Sequence, residues 1–282
     1  MIKHTKNILI PGARNHSILL DAYFDSNQVE KPVIIYVHGF NGFKDWGNMD
    51  IIAHQFAIAG FIFIKFNFSH NGTTPETPAE FRDLEAFGQN NYSIQLEDMD
   101  MVMNWVCDKT NLYHNEMDLT KICLAGHSLG GGISILHSAR DKRITKLITW
   151  AGISECKTPW GNWSPDKIED WKNSGVQYYE NTRTKQQLPL YYQLFEDYDL
   201  NEELLNIKTA IQAINNPILA CHGTLDTSVS IDRAYDLKKW QPSLELFTVE
   251  SDHVFGRRHP WLKDDLPSPM QLVVDKSISF LG

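Results

Sequence analysis

The chain has 282 residues, enough to bury one large core, and α/β folds of this length commonly run as a single domain. With 42% hydrophobic and 22% charged residues it has the make-up of a soluble globular protein, which excludes disordered, collagen-like and coiled-coil chains. Its formal net charge of −9 argues against a nucleic-acid or anionic-membrane partner, since both are held by clustered Lys and Arg.

The opening MIKHTKNILIPG lacks the roughly 7–15 apolar residues of a secretory signal, and no segment approaches the roughly 18 of a membrane span. A cytoplasmic protein is expected. Residues 6–10 and 17–24, separated by PGARNH, read as an antiparallel hairpin or paired edge strands. Near-continuous apolar runs then follow at 32–37 (PVIIYV), 61–66 (FIFIKF), 121–125 (KICLA), 146–150 (KLITW), 217–221 (PILAC) and 244–249 (LELFTV), which suits strands covered on both faces. Between them, 49–59, 93–107, 130–140 and 232–240 carry apolar residues at helical spacing, and 270–280 reads as a closing helix. The alternation implies a mostly parallel sheet flanked by helices. Cys107, Cys123, Cys156 and Cys221 show no CxxC spacing and are expected as free core thiols.

Two stretches break the alternation, and both fall on the loop side where an open α/β sheet builds its ligand site. Residues 69–91 are polar, with a TTPETP turn. Residues 154–215 far exceed the roughly two to six residues of an ordinary connection and are rich in aromatics. This insertion is expected to form a mostly helical cap, with Trp160, Trp163 and Trp171 contacting substrate, inside one domain spanning 1–282.

The strongest chemical signal is GHSLG at 126–130, directly after the strand KICLA and before the helical GGISILHSAR. Strand, strained turn and helix in that order make a nucleophile elbow, which lifts Ser128 above the sheet. A serine hydroxyl needs a base to take its proton. The fold's chain order of nucleophile, acid, histidine selects His253 in SDHVFG, after the last strand, and Asp226 in HGTLDTSV as the acid that orients it. His259 precedes Pro260 in a trailing loop and is the weaker candidate, while Asp252, adjacent to His253, reads as a loop-capping or solvated carboxylate. The backbone amides of Leu129, after the nucleophile, and Phe40, in the HGF loop after the first parallel strand, are the expected oxyanion donors. No HExxH or GxGxxG pattern is present, so neither a metal nor a dinucleotide or other cofactor is expected.

HGF, GHSLGG, HGTLD and SDH in that order resemble the α/β-hydrolase superfamily across essentially the whole chain. The HGFNGFKDW loop and the aromatic insertion further resemble cytosolic carboxylesterases of the cinnamoyl and feruloyl esterase type, grouped with dienelactone-hydrolase-like proteins. Dienelactone hydrolases use a cysteine nucleophile and lack a large cap, so their lactone substrate does not transfer to a chain with Ser128 and a long insertion. The resemblance implies hydrolysis of a small-molecule carboxylic ester through an acyl-enzyme, with apolar or aromatic acyl groups expected under an aromatic cap. A peptidase or amidase and a thioesterase share the same three residues, and a silent ligand-binding protein shares the fold. Oligomeric state, monomer or homodimer, is left open by the sequence.

Overall fold

The computed structural model describes residues 1–282. Eight strands form one sheet in the order β1-β2-β4-β3-β5-β6-β9-β10: β1 (Ile2–Pro11), β2 (Ser17–Asp25), β3 (Lys31–Val37), β4 (Ile62–Asn67), β5 (Met117–His127), β6 (Ile144–Trp150), β9 (Ile218–Gly223) and β10 (Glu245–Val249). The edge pair β1/β2 is antiparallel, as is β2 on β4, and every later pairing is parallel. This is the expected α/β-hydrolase architecture. No helix is long and apolar enough to cross a membrane.

Helices cover both faces. α1 (Met49–Ile58) and α9 (Ser268–Leu281) lay Met49, Ile52, Phe56, Met270 and Val273 on one face of the sheet. On the other face, α3 (Tyr92–Cys107), α4 (Leu129–Arg140), α7 (Ile207–Ala213) and α8 (Asp232–Trp240) contribute Val102, Ile133, Ile211 and Leu237 to the larger core. Burial on both faces is why the central strands are apolar almost without alternation. The four cysteines are free.

The parallel register sets the site. Val37 lies opposite Gly126, His127 opposite Trp150, and Gly223 opposite Val249. The carboxyl ends of β3, β5, β9 and β10 therefore finish along one edge of the sheet, where open α/β folds bind ligands. Residues 38, 128, 226 and 253 all lie within the first few positions past those ends.

The segment between β6 and α7 carries α5 (Pro165–Ser174), an antiparallel hairpin β7/β8 (Val176–Glu180, Gln187–Tyr191) and α6 (Gln193–Leu200). The hairpin is an addition to the helical cap expected from sequence. α7 packs on the core face beside α4 rather than over the site, so the part of the insertion that stands off the sheet ends before it. A short α2 (Leu84–Gln89), capped by Asp83 accepting the Ala86 amide at 2.9 Å, lies within the polar stretch 69–91.

Candidate active site

Ser128 sits between β5 and α4 with φ 56° and ψ −121°, a left-handed conformation that costs a non-glycine residue about 1–3 kcal/mol and persists only where the surroundings impose it. They do. The Ser128 amide donates to Trp150 O at 2.9 Å and its carbonyl accepts from Gly131 at 2.9 Å. A Cβ at Gly126 would collide with the Gly130 carbonyl, and one at Gly130 with the Val37 carbonyl. The elbow thus packs so tightly against β3 that only glycine fits on either side of it, which leaves Ser128 half-exposed in the cleft above.

His253 comes from the loop after β10 and Asp226 from the loop after β9. Nδ1–H of His253 donates to Asp226 Oδ2 at 2.7 Å, and Asp226 Oδ1 accepts the Ser228 and Val229 amides at 2.8 and 2.9 Å. Burial pushes the Asp226 carboxyl up, but hydrogen bonds from His222 and His253, the charge of His253 and the Val229 amide outweigh it and hold it below the ordinary carboxylate range. Asp226 is therefore an anion at neutral pH that fixes the ring with Nε2 facing the cleft. His222 is buried beside it, with Nε2 3.4 Å from Asp226 Oδ2 and donating to Val229 O at 2.9 Å; it braces the carboxylate from behind. His127 Nε2 donates to His253 O at 3.0 Å, tying the base loop to the elbow. Ser128 Oγ and His253 are not hydrogen-bonded, and a contact of this kind commonly tightens only in the Michaelis complex.

The HGF loop is held equally firmly. Lys44, fully buried, pairs with Asp21 at 2.8 Å and Asp45 at 2.6 Å, and Lys65 pairs with Asp21, Asp45 and Asp50. The three carboxylates that approach one another here are thus already occupied by lysines. The Lys44 amide donates to Asn67 Oδ1 at 2.6 Å and Asn71 Nδ2 to Gly42 O at 3.2 Å. A Cβ at Gly39 would touch Ser128 Cβ at 3.0 Å, so this loop lies directly over the elbow. The Phe40 amide has no acceptor within the protein, and that of Leu129 opens α4, where no intrahelical acceptor exists. Two free N–H groups thus flank Ser128, one of them at the positive end of a helix.

Ser128, His253 and Phe40 line two cavities. One, about 350 Å³, runs between the HGF loop and the loop after His253; the other, about 580 Å³, runs beneath the insertion. Ser128, Asp226, His253, Phe40 and Leu129 are therefore brought together. The three tryptophans are not. Trp160 and Trp171 are buried and pack with Trp163, Tyr192 and Phe195 as an extension of the larger core, and none of the three lines either cavity at Ser128. The aromatic walls are instead Phe40 in both cavities, Tyr36, Phe43, Trp46 and Phe81 in the first and Tyr179 in the second. His259 is a wall residue, accepting the Gly47 amide at 3.0 Å and stacked on Trp46. Asp252 Oδ1 accepts the Gly256 amide at 2.8 Å and caps the loop. Sequence reasoning missed Asn181, Arg183 and Arg257, which also line the first cavity; an arginine pair four residues past His253, in a chain of net charge −9, was the available signal.

The BD-FAE family model matches residues 20–241. Among curated proteins, the chain is 29% identical over 141 residues to the uncharacterized 31.7 kDa protein in the traX-finO intergenic region of Escherichia coli, an alignment covering 50% of this chain and 44% of that protein; the chain thus spans less than half the length of that relative. Two solved structures are similar over almost their full lengths. A putative hydrolase from Agrobacterium vitis has a TM-score of 0.72 at 16% identity over 100% of both chains. Est1E from Butyrivibrio proteoclasticus with bound ferulic acid has a TM-score of 0.73 at 18% identity over 97% of both. These likenesses show the fold.

Proposed function

The chain belongs to the BD-FAE family of esterase-like α/β-hydrolases, and from that premise we propose that it hydrolyses carboxylic esters through an acyl-enzyme on Ser128. The observation that carries this reading is the His253–Asp226 bond of 2.7 Å in the same cleft as a serine held at φ 56°. Ser128 Oγ attacks the ester carbonyl as His253 takes its proton, and the imidazolium is stabilised by Asp226. The oxyanion is met by the Phe40 and Leu129 amides; each such donor is worth about 10²–10³ in rate. The alcohol leaves with the proton from His253, and water repeats the sequence on the acyl-enzyme. Small to medium apolar or aromatic esters fit this reading, supported by Phe40, Phe43, Trp46 and Phe81 along the first cavity rather than by the tryptophans of the insertion, which acts as a cap through its hairpin.

The test is intact-protein mass after exposure to a fluorophosphonate, alongside turnover of a short 4-nitrophenyl ester. One adduct on Ser128, and at least about 10⁴-fold loss of turnover in Ser128→Ala, are expected. An adduct on another residue, or turnover surviving in Ser128→Ala, would sink the assignment.

A further inference from the structure

The first cavity holds a buried charge with no carboxylate in contact, Asp252 acting on it only through space from outside the lining. Arg257 is 3% exposed, yet it makes no ion pair with any carboxylate. Nε donates to Val254 O at 2.9 Å, Nη1 lies against Met49 Sδ at 3.3 Å, the guanidinium sits over Trp46 at 5.5 Å with the Tyr36 hydroxyl beside it, and Nη2 has no partner. A buried guanidinium left this way is expensive unless something else completes it. None of its contacts is a carboxylate. Arg183, on the turn of the β7/β8 hairpin, and Arg258 face the same space, and none of the 19 residues lining the cavity is Asp or Glu. Asn181, two residues before Arg183, donates to Asn41 Oδ1 at 3.1 Å, which holds this turn against the HGF loop. In a chain of net charge −9, a cleft with three arginines and no carboxylate focuses a positive potential beside Ser128.

We infer that this cavity recognises an anionic group, a carboxylate carried by the ester substrate, with the Arg257 guanidinium at its inner wall and Arg183 and Arg258 at the rim. The inference rests on the ester-hydrolase reading above and adds the charge class of the substrate. A guanidinium meets a carboxylate through two parallel N–H donors, and such charge-assisted bonds are the stronger kind. The aromatic walls would then flank the body of the substrate and the arginines would meet its acidic end.

Two matched pairs of substrates decide it. On the acyl side, 4-nitrophenyl hydrogen glutarate is compared with 4-nitrophenyl hexanoate; on the alcohol side, 4-acetoxybenzoate with 4-acetoxybenzamide. In at least one pair the anionic ester is expected to have kcat/KM about ten- to a hundredfold higher, mainly through KM, as a charge-assisted hydrogen bond allows. In Arg257→Met that ratio falls toward one, and in the exposed Arg183→Gln, which spares the buried core, it falls by a smaller factor. Equal or reversed ratios in both wild-type pairs overturn the inference. Should wild type turn over none of the four esters, the ester-hydrolase reading has failed, and calorimetric titration with glutarate tests the anion site by itself. Binding that is lost in Arg257→Met upholds the site, and no binding to wild type removes it.

Discussion

His38 ends β3 in a fully enclosed position, where Nδ1–H donates to Gly39 O at 2.9 Å and Nε2 accepts the Phe68 amide at 3.3 Å. Both nitrogens are used in the neutral form, and burial holds the imidazole down to about 4. The unfolded chain, with an ordinary histidine value near ~6.5, takes up the proton first, so stability is present above ~6.5 and is lost as pH falls toward about 4. Asp98 works in the opposite sense. Burial pushes its carboxyl up to about 6 against hydrogen bonds from Ala13 and Ser69, so the native state binds that proton first and stability falls as pH rises through that window. The difference between wild type and His38→Gln therefore isolates the histidine. Urea unfolding at pH 7 and pH 5 is expected to show wild type losing about 1–2 kcal/mol more than the variant; parallel losses would mean that His38 is not held neutral by the fold.

At the scale of elements, the elbow depends on two backbones approaching where a side chain would stand. Gly130 opens α4 directly against the carbonyls of Val37 and His38, so Gly130→Ala must push the helix away from β3. The expected outcome is about 1–3 kcal/mol lost in urea unfolding, in the range of overpacked cores, together with a fall of more than about tenfold in ester turnover, because the Leu129 amide moves with the helix. Unchanged turnover would mean that the elbow tolerates a wider turn than its contacts imply. The central strands and their crossover helices were readable from sequence because burial on both faces writes long apolar runs. Three features were not. β5 starts at Met117, ahead of the apolar run, because Met117 and Asp118 pair with Lys31 and Pro32 of β3 while the mostly polar, partly exposed residues 118–121 separate buried Met117 from the run. α2 has six residues, too few for a helical period to declare itself. The strands VQYYE and QLPLY are short, partly exposed and carry Pro189, which weakens a strand pattern.

For the molecule as a whole, the insertion's aromatic cluster continues the larger core through Tyr92 of α3, and polar contacts pin its edges. Gln193 donates to Gly88 O and Asn90 O at 3.1 and 3.0 Å, Gln186 to Phe81 O at 2.8 Å, and the Ser93 amide to Asp197 at 3.1 Å. Trp171 is the centre of that cluster, completely buried and donating from its indole to Leu190 O at 2.7 Å. Trp171→Ala is expected to cost about 3–5 kcal/mol, concentrated in the insertion, so that limited proteolysis cuts between residues 160 and 206 before the sheet yields. Simultaneous cleavage throughout the chain would mean that the insertion and the sheet yield as one unit. By itself, the amino-acid order determined the sheet and its flanking helices and singled out Ser128, Asp226 and His253 as the candidate nucleophile, acid and base, because each is read from a few residues beside a strand end. Only the tertiary structure decided which aromatics face the cleft, and that Arg183 and Arg257, 74 positions apart in the numbering, share it. Burial and charge pairing are properties of what folds over a residue, and no local pattern in the chain encodes them.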